Sequence, residues 1–345
     1  MIDFRYHLVS IVAVFLALAI GIVLGSTELQ GPAYNLLNQT TSKLQNQLDQ
    51  ATSQRDAAQQ QAGEDESYAQ AVQPAVLRDL LPGQRLLIVI EPGAQSSVVS
   101  GLSAAAIAAG ATVTGQINLS PKFFDSSATT QDSLNQTTLD AAQAAGLSLD
   151  PSATYQQQAA QVIASEIVTA SPASSGSAGS RPAGGDQSAS TAAMLQAYAA
   201  SQFLTTTGQP ATPATLVIVV TPQDTPSDGS ADQLDQVLVP LVQELAAKSA
   251  ATVVAGSSSG SGAGSPIAVL RSNNVSSQVS TVDDADLVSG QTVAILALAA
   301  QLGGGKAGSY GFTANGATAV APSPVPTPAA SPSATATPST KKGKK

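Results

Sequence analysis

The sequence is poor in the side chains that carry most enzyme and metal chemistry. It has no cysteine, no tryptophan, one histidine and two methionines in 345 residues. Without cysteine there is no disulfide, no thiol nucleophile and no thiolate ligand for a soft metal. The single histidine, His7, precedes a long apolar segment, so no Ser-His-Asp arrangement can form beyond that segment. We therefore expect no enzyme, and the sequence indicates no catalytic or cofactor-binding residue.

Positive charge and aromatic side chains are also scarce. The chain has 14 lysines and arginines against 23 aspartates and glutamates, a net charge of −9 at pH 7, and 3% aromatic residues. This negative charge argues against nucleic acid as a partner. The core must be built mainly from valine, isoleucine, leucine and alanine.

One long segment, residues 8–27, carries no charge. A helix needs about 20 such residues to cross a bilayer. A cleaved signal peptide is the alternative, but its apolar core is usually shorter and ends at an A-x-A site. Arg5 precedes the segment and Glu28 is the first charge after it, which predicts a cytoplasmic N-terminus. We expect residues 1–27 to be a stub and a retained single-pass anchor in the lipid bilayer of the cell membrane or envelope, with the bulk of the chain extracytoplasmic.

Small side chains recur along one side of this anchor. They lie at intervals of four residues, at Ala13, Ala17, Gly21 and Gly25. Such spacing lets two helices approach closely in lipid, which predicts self-association of the anchor in the membrane. Alternatively, the spacing reflects only the abundance of alanine and glycine in this chain.

A polar, glutamine-rich segment after the anchor has the spacing of a coiled coil. Positions between residues 37 and 76 follow a 4-3 repeat, and most of them are acceptable at a seam, with Arg55 and Asp65 the clear exceptions. Seam positions include Leu37, Leu44, Leu48 and Ala51. We expect a helical coiled-coil stalk over residues 28–81 and a homo-oligomer through anchor and stalk. A solvated helix lying on the domain is the alternative, and the stalk equally suits a helix of another envelope protein.

From residue 82 the sequence alternates between predicted strands and predicted helices. Continuous apolar runs bounded by glycine or proline are typical of strands that are buried on both faces. The predicted strands are residues 86–90, 112–119, 216–220, 252–255 and 267–270, and the predicted helices are residues 96–109, 231–249 and 287–302. This alternation predicts a mostly parallel, three-layer, Rossmann-like α/β domain over residues 82–320.

Two segments have few apolar side chains. Residues 172–192 consist mostly of serine, glycine and alanine, so we expect a disordered insertion. Residues 321–345 are rich in proline, serine, threonine and alanine and end in the basic sequence KKGKK, which predicts a disordered tail. The basic tip either binds an anionic polymer or lipid surface or only keeps the protein soluble.

The carboxyl ends of the predicted strands are where a cleft is expected, because open α/β sheets bind ligands there. This rule places a possible cleft at Glu91 and Gly93, after the first strand, and at Asp224, after the strand at 216–220. The glycine- and serine-rich segment 256–264 also follows a strand. Because a further strand rather than a helix is predicted after it, we expect a flexible turn and no dinucleotide-binding loop.

Three aspartates, Asp283, Asp284 and Asp286, precede the last predicted helix. Three carboxylates are a ligand set that suits calcium or magnesium. Aspartate just ahead of a helix more often caps the free N–H groups of its first turn. We expect capping here, and the sequence identifies no metal ligand.

Three segments carry a family resemblance. They are FRYHLVSIVAVFLALAIGIVLGS at the N-terminus, LLIVIEPGAQ at the first strand, and the late block STVDDADLVSGQTVAILALAAQL with GSYGFTANGATAVAP. Together they resemble the MctB-type actinobacterial copper transporter family, described as copper transport outer membrane proteins. The resemblance implies a membrane-anchored envelope protein of copper homeostasis or efflux, and it carries over no metal-binding residue. The alternative is an extracytoplasmic scaffold that regulates cell-wall remodelling or cell separation through its stalk.

Overall fold

The structure is a computed structural model that describes residues 4–169, 185–210, 212–222, 231–258, 265–312 and 316–323. The chain divides into two compact units, Met1–Ser67 and Tyr68–Lys345. In the first unit every described residue is helical. The second unit contains the α/β domain.

One long helix, α1, spans Phe4–Leu77, a length of 74 residues. Alanine, leucine and glutamine favour helix. The helix includes two prolines, Pro32 and Pro74, and none between them. The end of α1 belongs to the second unit, where Leu77 is fully buried and Gln73 Nε2 donates to Thr292 Oγ1 at 3.1 Å. The core of the α/β domain therefore includes side chains that precede its first strand.

Seven strands in the described part of the chain form one sheet. The strands are β1 (Arg85–Ile90), β2 (Thr112–Leu119), β3 (Leu204–Gly208), β4 (Leu216–Val220), β5 (Ala251–Ala255), β6 (Ser280–Val282) and β7 (Ser309–Tyr310). Their order is β3-β2-β1-β4-β5-β6-β7; β3 is antiparallel to β2, and all other neighbours are parallel. The predicted mixed α/β class with a mostly parallel sheet is confirmed.

Helices cover both faces of this sheet. They are α2 (Ser96–Ala108), α3 (Ala128–Ala145), α4 (Tyr155–Ile167), α5 (Gly185–Ala200), α6 (Ala231–Lys248), α7 (Pro266–Ser272) and α8 (Val288–Leu302). Leu87 and Val89 of β1 join an apolar cluster with α3 to α7, whereas Leu86 and Ile88 join a second cluster with α2, α8 and the end of α1. Because both sides of the strand are buried, β1 is apolar from Leu86 to Ile90.

The predicted strand at residues 267–270 is wrong, because these residues form α7. Ser265 is the N-cap of this helix, and its Oγ accepts from the Ala268 N–H at 3.2 Å. Pro266 occupies the first turn, where its missing N–H has no cost. A short apolar run suits a strand or a helix equally, and here the cap decides. The expectation that no helix follows the segment 256–264 is wrong for the same reason.

The region between β2 and β4 contains elements that the sequence did not predict, namely α3, α4, α5 and β3. Of these, α4 has a recognisable start, a capping box in which Thr154 and Gln157 exchange side-chain and backbone hydrogen bonds. The insertion predicted at residues 172–192 overlaps α5, because residues 185–192 are helical. Residues 172–184 and the tail from residue 324 lie outside the described residues.

Candidate functional site

The candidate site lies at the edge where the carboxyl ends of β1, β4, β5 and β6 meet. These strands are parallel neighbours, so their carboxyl ends share one edge of the sheet. From β1 the chain first goes to β2 on one side, and later adds β4 and β5 on the other. Open α/β sheets bind ligands at such a reversal point. We call residues 91–94, 221–222, 256–258 and 283–287 the carboxyl edge.

Glu91 is a buried acid at this edge. It directly follows β1, is 3% exposed, and its N–H donates to the Val220 carbonyl at 2.9 Å. Its Oε1 has no hydrogen-bond partner among the residues that the structure describes. Burial raises the pKa of Glu91 to about 8, because the charged form loses its hydration. Glu91 is therefore mostly protonated at pH 7 and can both donate and accept a hydrogen bond.

The loops of the carboxyl edge pack closely around two glycines. Gly93 has φ +85°, a conformation that other residues adopt only under strain, and a Cβ there would lie 3.4 Å from Pro222. At Gly256 a Cβ would lie 2.7 Å from Thr221 Oγ1 and 2.9 Å from Ile267 Cγ1. At both positions the glycine backbone thus packs directly against side chains of the neighbouring segments. Asp224, the third predicted cleft residue, lies outside the described residues.

Asp283, after β6, is fully engaged in a buried ion pair. Its Oδ2 lies 2.8 Å from Arg271 Nη1, and its Oδ1 accepts from the Phe312 N–H at 2.9 Å. The Arg271 guanidinium also donates to Thr281 Oγ1 and to the Tyr310 carbonyl, at 3.0 and 2.8 Å. This network joins α7, β6 and β7, so Asp283 is a structural residue.

The other two aspartates have different environments. Asp286 accepts from the N–H and hydroxyl of Ser258, at 3.0 and 3.1 Å, and so joins the loops after β5 and β6. Asp284 is 5% exposed and its Oδ1 has no partner within the described residues. Burial, together with the charge of Asp283, raises the pKa of Asp284 to about 6. The predicted capping is wrong, since the N-cap of α8 is Leu287, without a side-chain hydrogen bond.

The carboxyl edge offers hydrogen bonds and protons rather than metal ligation. No group of three or more His, Cys, Asp and Glu side chains that could hold an ion occurs in the part of the chain that the structure describes. Met194, the only methionine after Met1, is 2% exposed in the core beside α4 and α5. Copper(I) prefers thiolate and thioether ligands. The described residues therefore do not fit a resident copper site.

The predicted contact residues of anchor and stalk lie on α1. Leu37, Leu44 and Leu48 are 62%, 59% and 65% exposed. Ala51 is exposed as well, and so are Ala13, Ala17, Gly21 and Gly25. Both sets are accessible to a neighbouring helix.

Fold and site together define a class of protein. Residues Tyr6–Gly25 have a mean hydropathy of 2.9 and are long and apolar enough to cross a membrane. They are followed by a doubly wound α/β domain whose carboxyl edge holds buried acids. The chain has the layout of a membrane-anchored α/β protein, and its family follows from comparison with known sequences.

The chain belongs to the MctB family, because the family model described as "Copper transport outer membrane protein, MctB" matches residues 1–322. Proteins named "Copper transporter MctB" from Mycobacterium bovis and Mycobacterium tuberculosis are each 29% identical to it over 329 residues, 94% of this chain and 100% of the relative. The protein of that name from Mycobacterium leprae is 29% identical over 332 residues, 93% of this chain and 99% of the relative. The family indicated by the sequence motifs is confirmed.

Proposed function

We propose that this protein acts in copper homeostasis as a single-pass, membrane-anchored protein of the cell envelope. One observation carries the proposal: the match to the copper transport family covers residues 1–322, which include both the apolar helix and the α/β domain. The relatives named as copper transporters align over 93–94% of this chain and 99–100% of their own length. The kinship therefore concerns the whole architecture rather than one shared domain.

Copper is the cargo in this proposal, not a resident cofactor. The described residues contain no cluster of metal-binding side chains, and the chain has no cysteine. A single apolar helix does not line an aqueous path, because such a path needs a polar face. We infer that a path for copper is built by several copies of the chain or together with another envelope protein.

The proposed arrangement places the N-terminus in the cytoplasm and residues 28–345 outside it. Arg5 before the span and Glu28 after it support this orientation under the positive-inside rule. The α/β domain then works in the extracytoplasmic space, where copper is delivered or removed.

We further propose that the chain self-associates through α1, with the stalk as a coiled coil. The exposed leucines of the stalk support this, because a 4-3 repeat of apolar side chains on a solvated helix is stabilised by a second helix. The anchor contributes the close approach that Ala13, Ala17, Gly21 and Gly25 permit. We propose no catalytic activity, no cofactor and no nucleic acid partner for this assembly.

The second candidate is a scaffold that positions a cell-wall remodelling or cell-separation protein. The exposed leucines at positions 37, 44 and 48 favour it, because such a face also receives the helix of a different protein. In that case copper levels depend on the protein only indirectly.

Cell-associated copper separates the two candidates. It is measured in a strain that lacks this gene, with and without added copper, with zinc in the same samples as a control. The proposal predicts that copper rises in the deletion strain, returns to the original level with the intact gene, and that zinc does not change. Unchanged copper in cells that fail to separate under the microscope would reject transport in favour of the scaffold.

A matched pair of variants tests the role of the stalk. Leu44→Asp with Leu48→Asp places charges at the seam, whereas Asn46→Asp places a charge on the opposite side of the same turn. If copies of the chain build the path, the double variant fails to restore normal copper and Asn46→Asp restores it. Equal restoration by both would show that transport does not need the seam.

A further inference from the structure

β3 is an edge strand whose outer side is unpaired. It stands at one end of the sheet, and in the described part of the chain β2 is the strand that pairs with it. The opposite end of the sheet is covered by the chain itself, because the Thr318 N–H donates to the Ser309 carbonyl of β7 at 2.9 Å. Four of the five residues of β3, Thr205–Gly208, are exposed. An exposed edge of this kind can accept another strand.

The pairing with β2 decides which backbone groups of β3 face outward. The Phe203 carbonyl accepts from β2 at 3.0 Å just before β3 begins, and the Gln209 N–H donates to β2 at 2.8 Å just after it ends. Residues of an antiparallel strand alternate between bonding one neighbour and facing the other side. The N–H and carbonyl of Thr206 and the N–H of Gly208 therefore face away from β2. Leu204 has the same direction but is fully buried.

A groove of about 460 Å³ runs along this outer side. One wall is the face of α5 that carries Ala192, Leu195 and Gln196, and the other includes Thr206 and Gly208. The two residues whose backbone groups are free thus line the groove. An extended segment placed there would bond the edge of the sheet and fill the space beside α5.

The groove and the strand lie in a long segment without charge. Residues 187–223 contain no lysine, arginine, aspartate or glutamate, although 11% of the chain is charged. Lys122 reaches this segment before β3, where its Nζ donates to the Ser201 carbonyl at 2.9 Å. Edge strands that stay single are commonly protected by charged side chains, and the exposed residues of β3 have none.

Charge and symmetry favour a second copy of this chain as the occupant. Copies with a net charge of −9 repel each other in general, but not along a segment that carries no charge. Two β3 strands related by a two-fold axis also satisfy each other. In an antiparallel pair the Thr206 carbonyl of each copy accepts from the Gly208 N–H of the other.

We propose that β3 pairs antiparallel with β3 of a second copy and joins two seven-stranded sheets into one. The two-fold axis then passes at Thr207, because Thr206 and Gly208 lie opposite each other on either side of it. Thr207 of the two copies forms a non-hydrogen-bonded pair, in which the Cα atoms are about 4.5 Å apart. This contact lies in the α/β domain and is additional to the proposed self-association through α1.

The absence of native cysteine allows a test by disulfide cross-linking of the full-length protein in its own membrane. Thr207→Cys places two thiols at a Cα separation that a disulfide accepts, about 4.4–6.8 Å. Thr205→Cys is the matched control, because it lies on the same side of the same strand but roughly 14 Å from its copy. Molecular iodine serves as the oxidant, and products are separated by size without reducing agent.

The expected result is that Thr207→Cys gives dimers and Thr205→Cys does not. Leu44→Cys, at the stalk seam, is measured in parallel to separate this contact from the proposed self-association. If Leu44→Cys forms dimers and Thr207→Cys does not exceed its control, the β3 contact is rejected and association through α1 stands. If Thr207→Cys alone forms dimers, the β3 contact stands and the stalk contact is rejected.

A second pair of variants tests whether the backbone of β3 makes the contact. In the Thr207→Cys chain, Thr206→Pro replaces the outward N–H by a ring carbon and leaves the hydrogen bonds to β2 in place. Thr206→Ala keeps the N–H and is the matched control. We expect dimers with alanine and their loss with proline. Equal yields of dimer from both would reject strand pairing as the cause of the cross-link.

Discussion

At the scale of single residues, Glu91 is the side chain whose properties depend most on its surroundings. Its position after β1 follows from the order of strands in the sequence. Its burial, its raised pKa and an Oε1 without a partner among the described residues follow from the packing of the strand ends around it. A residue that would be charged in an exposed loop is thus largely neutral here at pH 7.

Replacement of Glu91 by glutamine tests this protonation. Since the pKa of Glu91 rises from 4.5 to about 8 on folding, the folded chain keeps a proton between these values that the unfolded chain has lost. Below pH 4.5 Glu91 is protonated in both states, so its burial causes no pH-dependent loss of stability. Above pH 4.5 the free energy of unfolding falls by about 1.4 kcal/mol per pH unit, until the carboxyl of the folded protein ionises near pH 8. Glu91→Gln should lack this loss and exceed the wild type in stability at pH 8.

Urea unfolding of the full chain in detergent at pH 5, 6, 7 and 8 measures the effect. Glu64→Gln is the matched control, because Glu64 lies on the exposed surface of α1. We expect the control to keep the pH dependence of the wild type. An unchanged pH dependence in Glu91→Gln would show that Glu91 is ionised in the folded protein.

At the scale of elements, the buried pair of Arg271 and Asp283 joins α7, β6 and β7. The two short strands have few ladder hydrogen bonds, since β6 has three residues and β7 has two. The guanidinium supplies additional bonds to the Thr281 hydroxyl and the Tyr310 carbonyl. This end of the sheet is therefore stabilised by a side-chain network as well as by its backbone.

Arg271→Met should destabilise the protein strongly, because it leaves Asp283 as a buried charge without its cation. Breaking one partner of a buried pair typically costs about 3–5 kcal/mol. Asp56→Asn is the matched control, since it breaks the Arg55–Asp56 pair, whose side chains are 65% and 58% exposed, and such pairs contribute about 1 kcal/mol or less. Urea midpoints of both variants give the comparison, and equal losses would contradict a structural role of the buried network.

Some of the elements were predictable because their signals are local. β1, β4 and β5 are apolar runs near turn residues, β2 follows β1 and α2 in a strand–helix–strand alternation, and α2 is followed by Gly110, whose φ of +88° suits the end of a helix. β3 was not predicted, because four of its five residues are exposed and only its pairing with β2 makes it a strand. α7 was mistaken for a strand because its apolar run is too short to show a helical period.

At the scale of the whole molecule, the orientation across the membrane is a prediction that the cysteine-free sequence makes easy to test. Ser53→Cys lies on the exposed surface of α1, beyond the apolar span, and Asp3→Cys precedes it. A membrane-impermeant maleimide should label Ser53→Cys in intact cells whose wall has been removed. Asp3→Cys should react only after lysis, because positive-inside orientation keeps it in the cytoplasm.

The reverse pattern of labelling would overturn the proposed topology. Loss of an N-terminal tag from the mature protein would show that residues 1–27 are a cleaved signal peptide instead of an anchor. Cleavage would also remove the membrane anchor that aligns the stalks in the proposed self-association, so this measurement bears on function as well as on topology.

The sequence by itself determined the properties that depend on neighbours in the chain. The apolar span, the long helix that continues from it, the buried central strands and the family all follow from composition and spacing over short segments. The tertiary structure alone decided which acids are buried and which are paired. Asp283, Asp284 and Asp286 are close in sequence, yet Asp283 pairs with Arg271, Asp286 binds Ser258, and Asp284 has an oxygen without a partner in the described part of the chain. Burial and pairing depend on segments that are distant in sequence and adjacent only after folding.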